Sequence, residues 1–144
     1  HRHIAAEHWT GHLDGYWGNT NNYRVYFDPV DGLAKFVTWD LDYSLIPDVD
    51  WGMNWNYPAS FISDNCRWNP GCYDQQREAE AWLLSELDID SIEAEFDAAL
   101  ALIDGRAHDD PRDYCSSWDV TYWQDYVRDW VLNRNDEIEA YWGF

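Results

Sequence analysis

Three short stretches of this 144-residue chain carry oxygen donors at spacings that could do chemistry: His12-Leu-Asp14, the loop from Asn19 to Asn22, and Trp39-Asp40-Leu-Asp42. A carboxylate in a loop can orient and deprotonate a hydroxyl, and further carboxylate and amide oxygens can hold a hard divalent cation against phosphates. Together they suit phosphoryl transfer. Asp14 fits the base, Asp40 the cation ligand, and an Asn side-chain carbonyl a neutral second ligand. Asn19 lies five residues after Asp14, whereas Asn22 lies directly before a predicted strand, and either position could supply that carbonyl. Taken singly, each part has a commoner use: Asp in a Gly/Asn loop forms turns, and Asp-Leu-Asp after a strand caps helices or binds calcium. His12 is expected to anchor the loop, because this chemistry gives it no proton to move.

The elements that must position these residues can be read from the pattern. Residues His3 to His12 suit a helix, which Gly11, Gly15 and Gly18 break into a Gly- and Asn-rich loop reaching Asn22. Tyr23 to Phe27 alternates as a strand, Asp28-Pro-Val-Asp-Gly32 reads as a turn, and Leu33 to Trp39 reads as a second strand. This hairpin folds Asp40 back toward Asp14, so Asp14, Asn22 and Asp40 are expected to converge on one cation-sized site. From Ile46 to Gly71 the Pro, Asn and Trp content predicts an irregular segment pinned by cysteines.

Helices follow. Ala79, Trp82, Leu83 and Leu87 share one helical face, and Asp90-Ser-Ile-Glu93 has capping-box spacing before a helix that Gly105 is expected to stop. A last helix from about Asp119 repeats Trp123, Val127, Trp130, Ile138 and Tyr141 at helical spacing, with Arg128 and Arg134 outward. Its aromatics are expected to be core rather than a sugar platform. No repeat or second-domain boundary is evident.

Nine basic against 28 acidic residues give a formal charge of −19, which repels nucleic acid and anionic membrane surfaces as partners. The longest apolar run, Ala98 to Ile103, is far short of the roughly 20 residues that span a bilayer. Cys66 and Cys72 flank Arg-Trp-Asn-Pro-Gly, and a tight Pro-Gly turn would bring their sulfurs together, leaving Cys115 unpaired. The spacing is not that of a zinc site. A disulfide and eleven Trp favour a secreted or cell-surface setting. Opening on His1 without Met or leader, the chain is expected to be a segment of a longer protein.

The order helix, loop, hairpin, helices corresponds to the lower lobe of a protein kinase from its catalytic loop onward. More specifically, His12-Leu-Asp-Gly-Tyr16, Asn21-Asn-Tyr-Arg-Val-Tyr26, Asp28-Pro, Gly32 and Thr38-Trp-Asp-Leu-Asp-Tyr-Ser44 resemble the signature of the CotH kinase family, atypical secreted or spore-coat protein kinases. Thr38 stands where the family pattern has Pro. The resemblance covers about residues 10 to 45. It implies an α+β fold, a kinase-like C-lobe that is mainly helical with a β-hairpin after the catalytic loop, the N-lobe lying outside residues 1–144. It also implies ATP with Mg²⁺ (or Mn²⁺ or Ca²⁺) as cofactors, a protein hydroxyl as substrate, and these roles: Asp14 catalytic, Asn22 and Asp40 binding metal and nucleotide, Asp42 a further metal ligand. A kinase anchors phosphates with a Lys ahead of the catalytic loop, whereas the sole Lys here, Lys35, follows it. The segment alone is therefore expected to be inactive. Two other readings compete: a kinase-like scaffold without activity, and a calcium-stabilised adhesion or carbohydrate-binding module using Asp40, Asp42, Asp48, Asp50 and exposed Trp.

Overall fold

The first helix, α1 (Arg2–Thr10), ends where Gly11 turns left-handed at φ 58°, and its amide bonds back to the Glu7 and His8 carbonyls. That reversal opens the Gly/Asn loop. The computed structural model describes residues 1–45, 58–109, 111 and 116–144. They fall into two compact units, 1–85 with Phe144, and 86–143, a division that hydrophobic periodicity did not reveal.

Strands β1 (Tyr23–Phe27) and β2 (Ala34–Thr38) pair antiparallel in the register Tyr23↔Thr38, Val25↔Phe36 and Phe27↔Ala34. The expected hairpin is present, shorter by one residue at each end of its second strand. Its turn is held by aspartates: Asp28 accepts from the Val30 amide and Asp31 from the Leu33 amide, both at 2.9 Å. Gly32 supplies the positive φ of 73°. Because side chains alternate along a strand, Tyr23 and Phe36 share a face, and Tyr16 packs on both at 4.8 Å between ring centroids. The hairpin is thereby fastened to the loop before it.

Part of the stretch expected to be irregular is helical. α2 (Phe61–Arg67) forms because Ser60 accepts the Ser63 amide as an N-cap, a signal outweighed in the sequence by the surrounding Asn and Pro. α3 (Pro70–Glu86) begins at Pro70, which sits in the first helical turn rather than in a tight turn, since its missing N–H would have no partner there anyway. Cys66 and Cys72 do form a disulfide, with Cα atoms 5.1 Å apart. It joins the last turn of α2 to the first of α3. Residues 46–57 and Cys115, to which further expectations attached, lie outside the described residues. On α3 the buried residues are Gln76, Ala79 and Glu80; Trp82 is half-buried beneath the Arg2 guanidinium, 3.9 Å from the ring centre.

The second unit pairs α4 (Ile89–Asp109) with α5 (Ser117–Trp142). Asp88, not Asp90, caps α4 by accepting the Ser91 amide at 3.1 Å, and the helix runs through Gly105 instead of stopping there. A glycine inside a helix weakens it by only about 1 kcal/mol, which neighbouring turns absorb. Ser116 and Asp119 make a reciprocal capping box at the start of α5. The buried stripe of α5 is Val131, Arg134, Ile138 and Trp142, rotated from the expected one. Trp118, Tyr122 and Trp123 are exposed, contrary to a core role, and Arg134 is buried, lying on Trp130 and bonded to Glu137 at 2.7 Å. Arg128 joins the two helices, bonding Glu93 at 3.1 Å and Asp97.

Closing a six-residue separation by the disulfide removes loop entropy worth about 2 kcal/mol from the unfolded chain. The double variant Cys66→Ser, Cys72→Ser should lower stability by that amount, read as a shifted urea midpoint. An unshifted midpoint would mean that α2 and α3 hold their corner without the bond.

Candidate functional site

The loop from Gly11 to Asn22 is folded around two groups, the Glu7 carboxylate and the Asp14 carbonyl. Glu7 is 2% exposed, and its two oxygens accept the Tyr16 and Trp17 amides at 2.6 and 2.8 Å. His3 Nε2 lies 2.9 Å from the same carboxylate. Burial opposes the charged form, but the His3 imidazole and the Trp17 and Tyr16 amides more than offset it, leaving the carboxyl below the ordinary glutamate range. The Asp14 carbonyl accepts the Asn21 and Asn22 amides at 3.2 and 2.6 Å, which closes the loop on itself.

Two glycines are required by contact, beyond their turn-forming tendency. A Cβ at Gly15 would overlap the Glu7 carboxylate and the His12 ring, and one at Gly18 would overlap the Leu13 carbonyl. Asp14 thus directly precedes a stretch in which two positions, Gly15 and Gly18, have no room for a side chain.

His12 is fully buried. Its Nε2 is 3.4 Å from the Asn22 carbonyl and its Nδ1 is 3.2 Å from the Ser44 hydroxyl. Since a carbonyl can only accept, Nε2 carries the proton and Nδ1 accepts from Ser44 in the neutral ring. The Leu45 amide also donates to the Thr10 carbonyl at 2.8 Å. His12 is therefore the anchor anticipated for it. Its two bonds tie the end of the loop, at residue 22, to the segment that follows the hairpin.

The anticipated site residues are arranged as follows. The Asp14 carboxylate is partly exposed and accepts from the Asn19 side-chain amide NH₂ at 2.8 Å, which holds Asn19 against Asp14. Asn22 is 9% exposed. Asp40 is exposed and left-handed at φ 54°, and it precedes the 3-10 turn Leu41–Tyr43 without a side-chain capping bond. Asp42 is exposed within that turn. The left-handed region is disfavoured for residues with a Cβ, and Asp is among the few that visit it. Asp40 therefore holds a constrained backbone while its carboxylate caps nothing.

Among the described residues, one trio of potential ligand side chains has its ligand atoms within 4.8 Å of one another: His1, Cys66 and Cys72. Its two sulfurs are bonded to each other, so neither is a thiolate and the trio is no metal site. Asp14, Asp40 and Asp42 form no such trio. Lys35 is engaged by Asp28 and, at 3.0 Å, Asp31 in the hairpin turn. Asp48 and Asp50 lie outside the described residues.

Sequence reasoning missed the buried polar cluster beneath the loop. His8 Nδ1 and Glu80 Oε1 meet at 2.6 Å with both side chains fully buried, and Gln76 donates to the same Glu80 oxygen at 2.7 Å. His3 and Glu7 at helical i, i+4 spacing were a legible signal. His8 and Glu80, 72 residues apart, had none beyond Glu80's place beside Ala79. Among the described residues no helix is long and apolar enough to cross a membrane.

The fold and site define a mostly helical chain whose antiparallel hairpin returns an Asp-Leu-Asp turn to the base of a closed Gly/Asn loop. Compared with family models, curated proteins and solved structures, the chain matches none.

Glu7→Gln puts an amide NH₂ where an amide donor now finds an acceptor, and should cost about 2 kcal/mol near neutral pH. Because the folded carboxyl titrates below its unfolded value, the charged group's contribution is complete above about pH 4.3 and fades as pH falls through the folded pKa. Denaturation midpoints of both proteins between neutrality and strong acid should converge at the acid end. A gap that stays constant with pH would refute a charged Glu7 in the fold.

Proposed function

We propose that the chain is the catalytic-loop and metal-binding half of a CotH-type phosphotransferase, an atypical kinase that moves phosphate from ATP to a protein hydroxyl. The observation that carries this reading is the pair of bonds by which His12 and Thr10, at the base of the Asp14 loop, hold Ser44 and Leu45, just beyond Asp40 and Asp42. The hairpin's return brings residues 44 and 45 to the base of the Asp14 loop.

In this reading Asp14 accepts the proton of the attacking hydroxyl, and the Asn19 side chain fixes its orientation. Asn22 and Asp40 supply carbonyl and carboxylate oxygens, the donor type that Mg²⁺ prefers, and Asp42 offers a further one. Such a cation bridges phosphate oxygens and neutralises their charge during transfer. The Asp40 carboxylate, exposed and making no capping bond, is open to a ligand in this reading. Lys35, paired within its own turn, is not the phosphate anchor, so that cation comes from a lobe outside these residues. The 144 residues alone then transfer no phosphate. A disulfide together with the acidic surface favours an extracytoplasmic location.

One observation favours the adhesion reading instead. Trp118 is 69% exposed and stacks nearly parallel on Tyr122, an apolar platform of the kind that sugars bind.

Transfer of radiolabelled phosphate from ATP and calorimetric ATP–Mg²⁺ titration decide between these, on a protein that includes the nucleotide-anchoring lobe. Asp14→Asn should leave ATP–Mg²⁺ affinity within about twofold and slow transfer at least a hundredfold, roughly the worth of a general base. Asp40→Asn should weaken ATP–Mg²⁺ about tenfold or more. Undiminished transfer in either variant defeats the kinase assignment, and no transfer by the unaltered protein leaves the scaffold or adhesion readings.

A further inference from the structure

Among the described residues, an imidazole nitrogen of His1 and the sulfurs of Cys66 and Cys72 lie within 4.8 Å of one another. The disulfide closes this trio to metal. We propose that, once that bond is reduced, the three side chains bind a zinc ion, so that the corner between α2 and α3 is held either by a disulfide or by a metal. The inference is independent of the phosphoryl-transfer reading.

The donor set is the first argument. Two thiolates and an imidazole suit a borderline-soft ion such as Zn²⁺, and one water completes its four positions. The bonded sulfurs must part to about 3.8 Å, the separation of two ligands roughly 2.3 Å from a tetrahedral ion. With the Cα atoms 5.1 Å apart, rotation of the two side chains is enough. The water has room, because His1, Cys66 and Cys72 all line one cavity of about 160 Å³.

The state of the imidazole is the second. Gln76 donates its NH₂ to Glu80 Oε1 at 2.7 Å, which leaves its carbonyl oxygen to face His1. That oxygen lies 3.1 Å from His1 Nδ1 and can only accept, so in the neutral ring Nδ1 carries the proton and Nε2 keeps the lone pair. Metal-bound histidines are held in this way, with the other ring nitrogen donating to an oxygen that fixes the tautomer.

The third is the start of α3. Cys72 lies in its first turn, with its amide capped by the Asn69 side chain at 3.2 Å. Helix N-termini favour negative charge, so the thiolate is the form stabilised there. The exchange balances. A dithiol gives two electrons and two protons to the Cys66–Cys72 bond and itself becomes a disulfide. Zn²⁺ then displaces the two thiol protons, and the dication with two thiolates is neutral.

Cobalt serves as the optical probe, and zinc as the ion whose affinity is measured. A Cys115→Ser background leaves Cys66 and Cys72 as the sole thiols. This chain is reduced, freed of reductant under argon and titrated. Co²⁺ should give a thiolate-to-metal charge-transfer absorption that saturates at one equivalent, and competition with a chelator should place the zinc dissociation constant below about 1 µM. The oxidised chain should show neither. His1→Ala, at an exposed position, should weaken zinc at least about tenfold and leave the circular dichroism of the oxidised chain unchanged. Zinc should raise the urea midpoint of the reduced chain, and raise it less in His1→Ala. An absent charge-transfer band, an unaltered zinc affinity in His1→Ala, or equal binding by the oxidised chain would each overturn the proposal. Metal held by loose thiols of an unfolded chain falls under the second of these outcomes, because it does not depend on His1.

Discussion

The Glu7 carboxylate is the interaction on which the first unit turns. It is nearly free of solvent, yet it stays charged because two loop amides donate to it and an imidazole lies against it. An unpaired buried carboxylate would take up a proton or expel the loop that buries it. Glu7 avoids both by acting as the surface on which residues 15 to 17 are laid. Gly15 must then lack a side chain, and Tyr16 is delivered to the inner face of the hairpin.

From that point the organisation spreads outward through polar groups as much as through apolar ones. His8 is paired with Glu80 and edge-on to Trp17, which binds α1 to α3 and to the loop at once. Such a buried pair is weak evidence for net stability, since desolvation offsets much of its attraction, but removing one partner strands a charge or a polar atom. The consequence is specificity of arrangement. His12 does the same for the far end of the loop, holding residue 22 and residue 44 with its two ring nitrogens.

The acidic side chains of the candidate site rest on this scaffold, to which Asp14 contributes only its backbone carbonyl. Asp14, Asp40 and Asp42 are at least partly exposed and are not needed to satisfy the core, whereas their neighbours Leu13, Gly15, Gly18, His12 and Ser44 are tightly constrained. The field of a chain at −19 opposes the approach of anionic ligands.

Local chemistry by itself determined the hairpin, its aspartate-held turn, the Cys66–Cys72 bond and the helical character of the rest. Alternation, turn residues and short cysteine spacing act over a few residues and are legible one stretch at a time. The role of His12 as an anchor was readable for the same reason. Tertiary structure decided what no window of sequence contains: that Glu7 and Glu80 are buried, that Arg134 lies inside the stripe of α5, that α4 continues through Gly105, and that Pro70 opens a helix instead of a turn. Each of those outcomes depends on partners outside the local stretch or on competition between signals that periodicity weighs alike. Burial of a charged group is favourable only where distant atoms arrive to solvate it, and their arrival is a property of the folded chain.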